Sequence, residues 1–145
     1  MPTYAFSRVL HLFELFPAPR HSVVNEVDNS NRLLLGPFCG KPACQFIQTA
    51  PGKAGGLCAD AYLQRKTVVV PEVDLYPGHI ACDGETKSEI VVPLIYKKGG
   101  EVFVLGVVFV LGVLDLECLA VNGFGEEDRQ GLEKISELLV KACDW

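Results

Sequence analysis

The feature that most restricts the fold is an uninterrupted apolar run, VFVLGVVFVLGVL, at residues 102–114. A transmembrane helix needs roughly 20 apolar residues, so this run is too short to be one. A second apolar stretch, residues 89–96, precedes it, and the KKGGE sequence between the two is typical of a hairpin turn. We therefore predict two antiparallel strands, and Pro93 in the first favours a strand edge or a bulge at that point.

The apolar run is a tandem repeat, because VFVLGV occupies residues 102–107 and again residues 108–113. Side chains of a strand alternate between two faces, so an insertion of six residues leaves the facing of Asp115 and Glu117 unchanged. The insertion could still move both carboxylates about 20 Å along the sheet, unless the extra copy lies near the hairpin turn.

The remaining pattern predicts a mixed fold. The clearest helix covers residues 126–142, where acidic residues begin the helix and one apolar stripe follows it, formed by Leu132, Ile135, Leu138, Leu139 and Ala142. Two further helices are predicted at residues 5–16 and 57–66, and short strands at residues 33–35 (ended by Gly36-Pro37), 43–48 and 67–70. We predict an α+β domain in which helices pack on one face of a central antiparallel sheet.

Composition excludes several classes of function. The formal net charge is −5, and no basic stripe with interleaved aromatic residues is visible, which argues against a nucleic-acid partner. Residues 1–16 lack the basic start and the cleavage site of a secretory leader, so we expect a cytoplasmic protein without a membrane segment. The six cysteines are too few for a secreted disulfide scaffold, and because no CxxC pair occurs we expect no metal ion.

Three of the cysteines lie beside glycine-containing turns, where the backbone can open close to a ligand: Cys44, Cys58 and Cys82. A thiol reductase needs one thiolate to attack and a second thiol to resolve the resulting sulfenic acid as a disulfide. Any two of these residues could do so if the fold brings their Cα atoms within about 6 Å. Alternatively, the cysteines are small buried hydrophobic residues.

Acidic residues accompany these thiols. Asp83 and Glu89 lie in the GHIACDGETKSEIVVP segment around Cys82, and Asp115 and Glu117 share one face of the second strand. A carboxylate pair could bind a substrate ammonium group, or donate a proton if one pKa is raised. The alternative is a solvated strand end. His79 could act as an acid or base, or merely form a hydrogen bond within its loop.

Five stretches, in this order, resemble the free methionine-R-sulfoxide reductases, a GAF-domain family: LLLGPFCGKPACQFI, GLCADA, PEVDLYPGHIACD, SEIVVPLI and LGVLDLE. The resemblance runs from about Asn31 to the end of the chain. It implies one GAF domain over residues 1–145, in which residues 1–30 are atypical. It also implies that Cys82 attacks the sulfoxide sulfur, that Cys44 resolves the sulfenic acid, and that Cys58 is an accessory thiol.

The resemblance further implies the substrate site. Glu89 and Asp115 match carboxylates that bind the amino group and protonate the leaving oxygen, and Glu117, Asp83 and His79 complete the expected substrate-binding set. The activity implied is reduction of free L-methionine-(R)-S-oxide without a cofactor. Thioredoxin would recycle the disulfide, and the chain could form a homodimer.

Two departures leave other interpretations open. The family usually has Asp where this chain has Glu117, and it has an aromatic NWxGFY-type strand before LGPF where this chain has HSVVNEVDNSN. The substrate pocket is therefore expected to be altered, and one sheet strand missing or replaced. The alternatives are a non-catalytic GAF module that senses a ligand or redox state, and an inactive relative with a damaged pocket.

Overall fold

A computed structural model describes residues 9–15, 32–39, 44–50, 52–80, 82, 84–98 and 107–142. In chain order their elements are β1 (Val9–Leu15), β2 (Arg32–Cys39), β3 (Phe46–Gln48), α1 (Gly56–Gln64), β4 (Val68–Val70), a 3-10 turn (Val73–Leu75), β5 (Ser88–Lys98), β6 (Val107–Cys118) and α2 (Glu126–Ala142). The strands form one antiparallel sheet in the order β3-β2-β1-β6-β5-β4. The predicted α+β class with a central antiparallel sheet is confirmed.

The centre of the fold is the predicted hairpin of β5 and β6. Lys98 pairs with Val107, so residues 99–106 connect the two strands and, apart from Val107, the first VFVLGV copy lies outside the described residues. The second copy lies within β6. Farther along the ladder Glu117 pairs with Glu89, so the repeat does not separate the carboxylates of the two strands.

The prediction for Pro93 is confirmed by the pairing of β5. Strand β4 pairs only with Glu89, Ile90 and Val91, so β5 has no described neighbour on that side at Pro93. The ladder with β6 also shifts register directly afterwards, between Leu94 and Ile95. Pro93 therefore lies where β5 has no described neighbour on one side and next to a register shift on the other, and a proline is tolerated at both kinds of position.

The two helices pack on opposite faces of the sheet, so the prediction that they share one face is wrong. Val91 and Val113 pack with Leu57 and other residues of α1. Their neighbours Ile90 and Leu114 pack in a second cluster with Leu132 of α2. Because adjacent residues of a strand point to opposite faces, both faces of the β5–β6 hairpin are buried, each beneath its own helix.

Helix α2 has the predicted bounds, but its apolar stripe is buried only in part. Leu132 packs on the sheet and Ser136, four residues later, is buried, so these two mark the inward side of the helix. Ile135 and Leu138 are 48% and 64% exposed. Neither α1 nor α2 is long and apolar enough to cross a membrane, within the part of the chain that the structure describes.

The predicted helix at residues 5–16 is wrong, because Val9–Leu15 is the strand β1. A short apolar run fits a buried helix and a central strand equally well, and here β1 lies between β2 and β6 and pairs with both. The sheet position next to β2 is therefore filled by a strand of sequence VLHLFEL.

Strand β2 also runs farther than predicted, through Gly36-Pro37 to Cys39. Its ladder with β1 shifts register between His11 and Phe13, which pair with Phe38 and Leu35 respectively. Gly36 and Pro37 therefore lie at an irregularity of the ladder, where a proline is tolerated. Helix α1 and strand β4 lie where they were predicted, with bounds of Gly56–Gln64 and Val68–Val70.

We expect Gly123→Ala to destabilise the fold by about 1–3 kcal/mol, because a Cβ has no room in this turn. A Cβ built at Gly123 lies 2.6 Å from Cys118 Sγ and 2.7 Å from Ser88 Oγ. The Ser88 hydroxyl is fixed in place, because it donates to Ala120 O (2.6 Å) and accepts from Gly123 N (3.0 Å). Urea unfolding would measure the change.

The matched control is Gly131→Ala in α2, where a Cβ meets no atom within 4 Å. Alanine should stabilise this exposed helical position by up to about 1 kcal/mol. Equal effects of the two substitutions would contradict the crowding at Gly123.

Candidate active site

A pocket opens where α1 and the loop before β5 cover the hairpin. It is a narrow cleft, and the space between its lining atoms, counted together with the open solvent at its mouth, is about 350 Å³. Its lining combines thiols, carboxylates, an imidazole, glycines and aliphatic side chains: Ile47, Gly55, Gly56, Leu57, Cys58, His79, Ile80, Cys82, Glu89, Asp115 and Glu117. Seven of the eight predicted site residues therefore come together, six in the lining and Cys44 through its bond to Cys82, whereas Asp83 lies outside the described residues.

Cys44 and Cys82 form a disulfide with a Cα–Cα distance of 5.3 Å, although 38 residues separate them in sequence. Cys44 lies just before β3 and Cys82 in the loop before β5. Both are half-buried, so the pair lies at the margin of the core, where a solution reductant can approach. Cys58 remains a free thiol and is buried in α1.

The buried part of the pocket is a contact between Cys58 and the carboxylates of the hairpin. The Cys58 thiol donates a hydrogen bond to Asp115 Oδ2 at 3.6 Å. Asp115, Glu89 and Glu117 are only 3%, 5% and 6% exposed, so the alternative of a solvated strand end is wrong. Asp115 and Glu117 lie on one face of β6 as predicted, since both line the pocket.

Burial is the main influence on the pKa values of Cys58 and Asp115. It raises the pKa of the Cys58 thiol well above its usual value, and the neighbouring Asp115 carboxylate raises it further. Burial also raises the pKa of Asp115 to about 7, with a second contribution from Glu117, although hydrogen bonds with Glu89 and Cys58 lower it in part. Asp115 can therefore hold or release a proton near neutral pH.

His79 extends the site toward the loop. Its Nδ1 lies 3.9 Å from Glu89 Oε2, at the long limit of an ion pair. Burial lowers the pKa of His79, and the nearby charge of Asp74 offsets this only in part. The neutral imidazole of His79 therefore persists to lower pH than in an ordinary histidine, which suits an uncharged hydrogen-bonding partner.

Sequence reasoning missed the contacts that hold the loop on α1. Tyr76 OH donates to Asp60 Oδ2 at 2.6 Å, and the Tyr76 carbonyl accepts from His79 N at 3.2 Å. The Ile80 side chain lies over Gly56, where an added Cβ would contact it at 3.5 Å, and Gly56 itself has a φ of +81°. The pair Gly55-Gly56 at the start of α1 was the available sequence indication, since glycine allows this close approach.

Comparison with known proteins identifies one family and several relatives. The family model described as GAF domain matches residues 7–143. The chain is 48% identical over 120 residues to the free methionine-R-sulfoxide reductase of Saccharomyces cerevisiae, covering 83% of this chain and 59% of the relative. It is 38% identical over 109 residues to the free methionine-R-sulfoxide reductase of Escherichia coli, covering 75% of this chain and 58% of the relative.

The chain thus spans less than two thirds of the length of these two curated relatives. Among solved structures, it resembles the free methionine-R-sulfoxide reductase from Neisseria meningitidis in complex with its substrate. The TM-score is 0.68 with 33% identity, over 95% of this chain and 67% of that one.

The pKa of Asp115 predicts a specific pH dependence of stability. Its folded pKa, about 7, exceeds its usual value of 3.8, so the folded state keeps a proton that the unfolded state has lost. The stabilisation that this proton provides is fully present below about pH 4 and is lost as the pH rises through about 7. In the parent chain this proton makes the free energy of unfolding fall with rising pH, by up to about 1.4 kcal/mol per pH unit. We expect Asp115→Asn to remove this fall.

Urea unfolding of the disulfide form between pH 4 and 8 would measure this slope for the parent chain and for Asp115→Asn. Glu137→Gln on the exposed side of α2 controls for the removal of one carboxylate. Parallel curves for the parent and Asp115→Asn would contradict a raised pKa at this position.

Proposed function

The chain belongs to the GAF-domain family, and we propose that its pocket reduces free L-methionine-(R)-S-oxide to L-methionine. One observation carries the proposal: Cys44 and Cys82, distant in sequence, form a disulfide beside a pocket of buried carboxylates. The relatives named free methionine-R-sulfoxide reductase support the choice of substrate. The sensing and inactive alternatives have no comparable observation in their favour.

The thiol chemistry balances in two steps. The Cys82 thiolate attacks the sulfoxide sulfur while the sulfoxide oxygen takes up one proton. The oxygen then passes from the methionine sulfur to the Cys82 sulfur, so that methionine leaves and Cys82 becomes a sulfenic acid. The Cys44 thiol then attacks the Cys82 sulfur and expels that oxygen as water, which forms the Cys44–Cys82 disulfide. A dithiol reductant, thioredoxin in our proposal, returns both residues to thiols and supplies the two electrons.

The carboxylates would bind the substrate and supply the proton. A free amino acid carries an ammonium group, and none of the described residues that line the pocket is a lysine or an arginine. Glu89 and Glu117 are therefore suited to bind the ammonium group. Asp115, with its pKa of about 7, is suited to protonate the sulfoxide oxygen during attack.

The substrate's methylthio end needs an apolar wall. In this chain the aliphatic side chains of Ile47, Leu57 and Ile80 line the pocket. We propose that they form this wall, so that the pocket can bind the substrate without the aromatic strand. Aliphatic side chains lack an aromatic face, so weaker binding of the substrate is expected.

Cys58 is poorly suited to attack the sulfoxide. Its thiol is buried and its pKa is raised, so little thiolate is present at neutral pH. Its hydrogen bond to Asp115 Oδ2 instead favours a positioning role, in which the thiol orients the carboxyl group that donates the proton. The accessory exchange implied for Cys58 remains a prediction.

The other expectations also remain predictions. They are a single GAF domain over residues 1–145 with an atypical segment at residues 1–30, a possible homodimer, a cytoplasmic location and a place for Asp83 in substrate binding.

A coupled assay tests the proposal. With thioredoxin, its reductase and NADPH, we expect oxidation of NADPH with the R epimer of free methionine sulfoxide and none with the S epimer. Cys82→Ser should abolish turnover, because the attacking thiolate is lost. Cys44→Ser should release up to one methionine per chain and then lose at least 90% of steady-state turnover, because the sulfenic acid is no longer resolved.

Cys39→Ser is the matched control, since Cys39 is an exposed free thiol outside the pocket lining, and it should keep parental turnover. A folded chain that reduces neither epimer would overturn the proposed activity. Full turnover by Cys82→Ser would overturn the assignment of the attacking thiol.

A further inference from the structure

Three side chains from three different elements place ligand atoms of metal-binding type in one buried cluster. They are Cys58 of α1, Glu89 of β5 and Asp115 of β6, and one ligand atom of each lies within 4.8 Å of the other two. All three are at least 95% buried. The combination of a thiol with two carboxylates distinguishes this cluster from an ordinary acidic patch.

The spacing fits a small divalent ion. In a tetrahedral zinc site, with Zn–S of about 2.3 Å and Zn–O of about 2.0 Å, the sulfur and oxygen ligands lie about 3.5 Å apart. Cys58 Sγ and Asp115 Oδ2 are 3.6 Å apart. A zinc ion could thus be bound by this pair with little movement of either backbone, and the carboxylate of Glu89 is within reach as a third ligand.

The side chains around the three ligands favour a cation, and one of them lies close to the ligand Glu89. Glu117 adds a further buried carboxyl group to the same pocket wall, and no lysine or arginine is found among the described lining residues. His79 Nδ1 lies 3.9 Å from Glu89 Oε2. Carboxylates that bind a metal are usually oriented by a hydrogen-bonding partner of their own, and His79 is near enough to Glu89 to become that partner.

We propose that Cys58, Glu89 and Asp115 bind one divalent cation that accepts a thiolate ligand, Zn²⁺ above all. Binding replaces the thiol hydrogen of Cys58 and releases that proton to solvent, with no change of oxidation state. A water molecule would complete the coordination. Neither residue of the Cys44–Cys82 disulfide belongs to the ligand set, so the oxidised chain binds the ion as well.

This site is independent of turnover, so it can be tested even if the proposed reductase activity fails. Where that activity holds, the ion and the substrate ammonium group would compete for the same carboxylates. Zinc would then act as a reversible inhibitor of the pocket. Since Asp115 would also be held as a ligand, it could not donate a proton while the ion is bound.

The experiment uses Co²⁺ as a spectroscopic substitute for Zn²⁺. The full chain carries Cys39→Ser, Cys118→Ala and Cys143→Ser and is kept in the Cys44–Cys82 disulfide form, which leaves Cys58 as its only free thiol. We expect one Co²⁺ per chain, with near-ultraviolet absorption from thiolate-to-cobalt charge transfer, and displacement of that absorption by one equivalent of Zn²⁺.

Two variants in this background distinguish the loss of a metal ligand from the loss of the folded structure. Cys58→Ser should eliminate the thiolate absorption, and Asp115→Asn should weaken Co²⁺ binding at least tenfold. Glu137→Gln, which removes an exposed carboxylate of α2, should change neither. Circular dichroism would establish that each variant is folded.

Absence of the charge-transfer absorption in the folded parent background, or its persistence in Cys58→Ser, would overturn the proposal. Equal affinity of the parent and Asp115→Asn would also overturn it, because the carboxylate would then not be a ligand.

Discussion

The structure depends on how the β5–β6 hairpin buries carboxyl groups. Its register places Glu89 directly opposite Glu117, with Asp115 two residues away on the same face. Like charges in such positions repel each other, and burial makes each charge costlier still. The arrangement is tolerable only if protons, hydrogen bonds or a bound cation compensate, which is why the pKa of Asp115 rises to about 7.

The same constraint separates the cysteines into two chemical environments. Cys82 and Cys44 lie half-buried at the edge of the acidic group and are joined to each other, whereas Cys58 lies within it and donates to a carboxylate. Acidic neighbours suppress thiolate formation, so a reactive thiol is better placed beside the carboxylates than among them. In the proposed reaction the fold would thereby separate the sulfur chemistry from substrate binding and proton donation over a short distance.

Much of this could be predicted from sequence where the pattern was long or strictly periodic. The hairpin and the bounds of α2 followed from apolar runs and capping acids, and the shared face of Asp115 and Glu117 followed from alternation alone. The strand β1 was mistaken for a helix, because strand pairing on both of its sides decides its structure and is not a local property.

The position of Cys58 against Asp115 was equally inaccessible, since it depends on how α1 docks across the sheet. The faces chosen by the two helices were missed for a related reason. Both faces of the hairpin are apolar in sequence, and the alternation that separates them is difficult to see in a continuous apolar run.

The disulfide has a consequence for the chain as a polymer. It closes a loop whose ends are 38 residues apart and which contains α1, β4 and the loop that bears His79. In the chain-entropy model, closing a loop of this length stabilises the folded state by about 4 kcal/mol, a large part of the stability of a small domain. The form with both thiols free is therefore the less stable one. A chain of marginal stability would remain folded longest in its disulfide form, and reduction would bring it closer to unfolding.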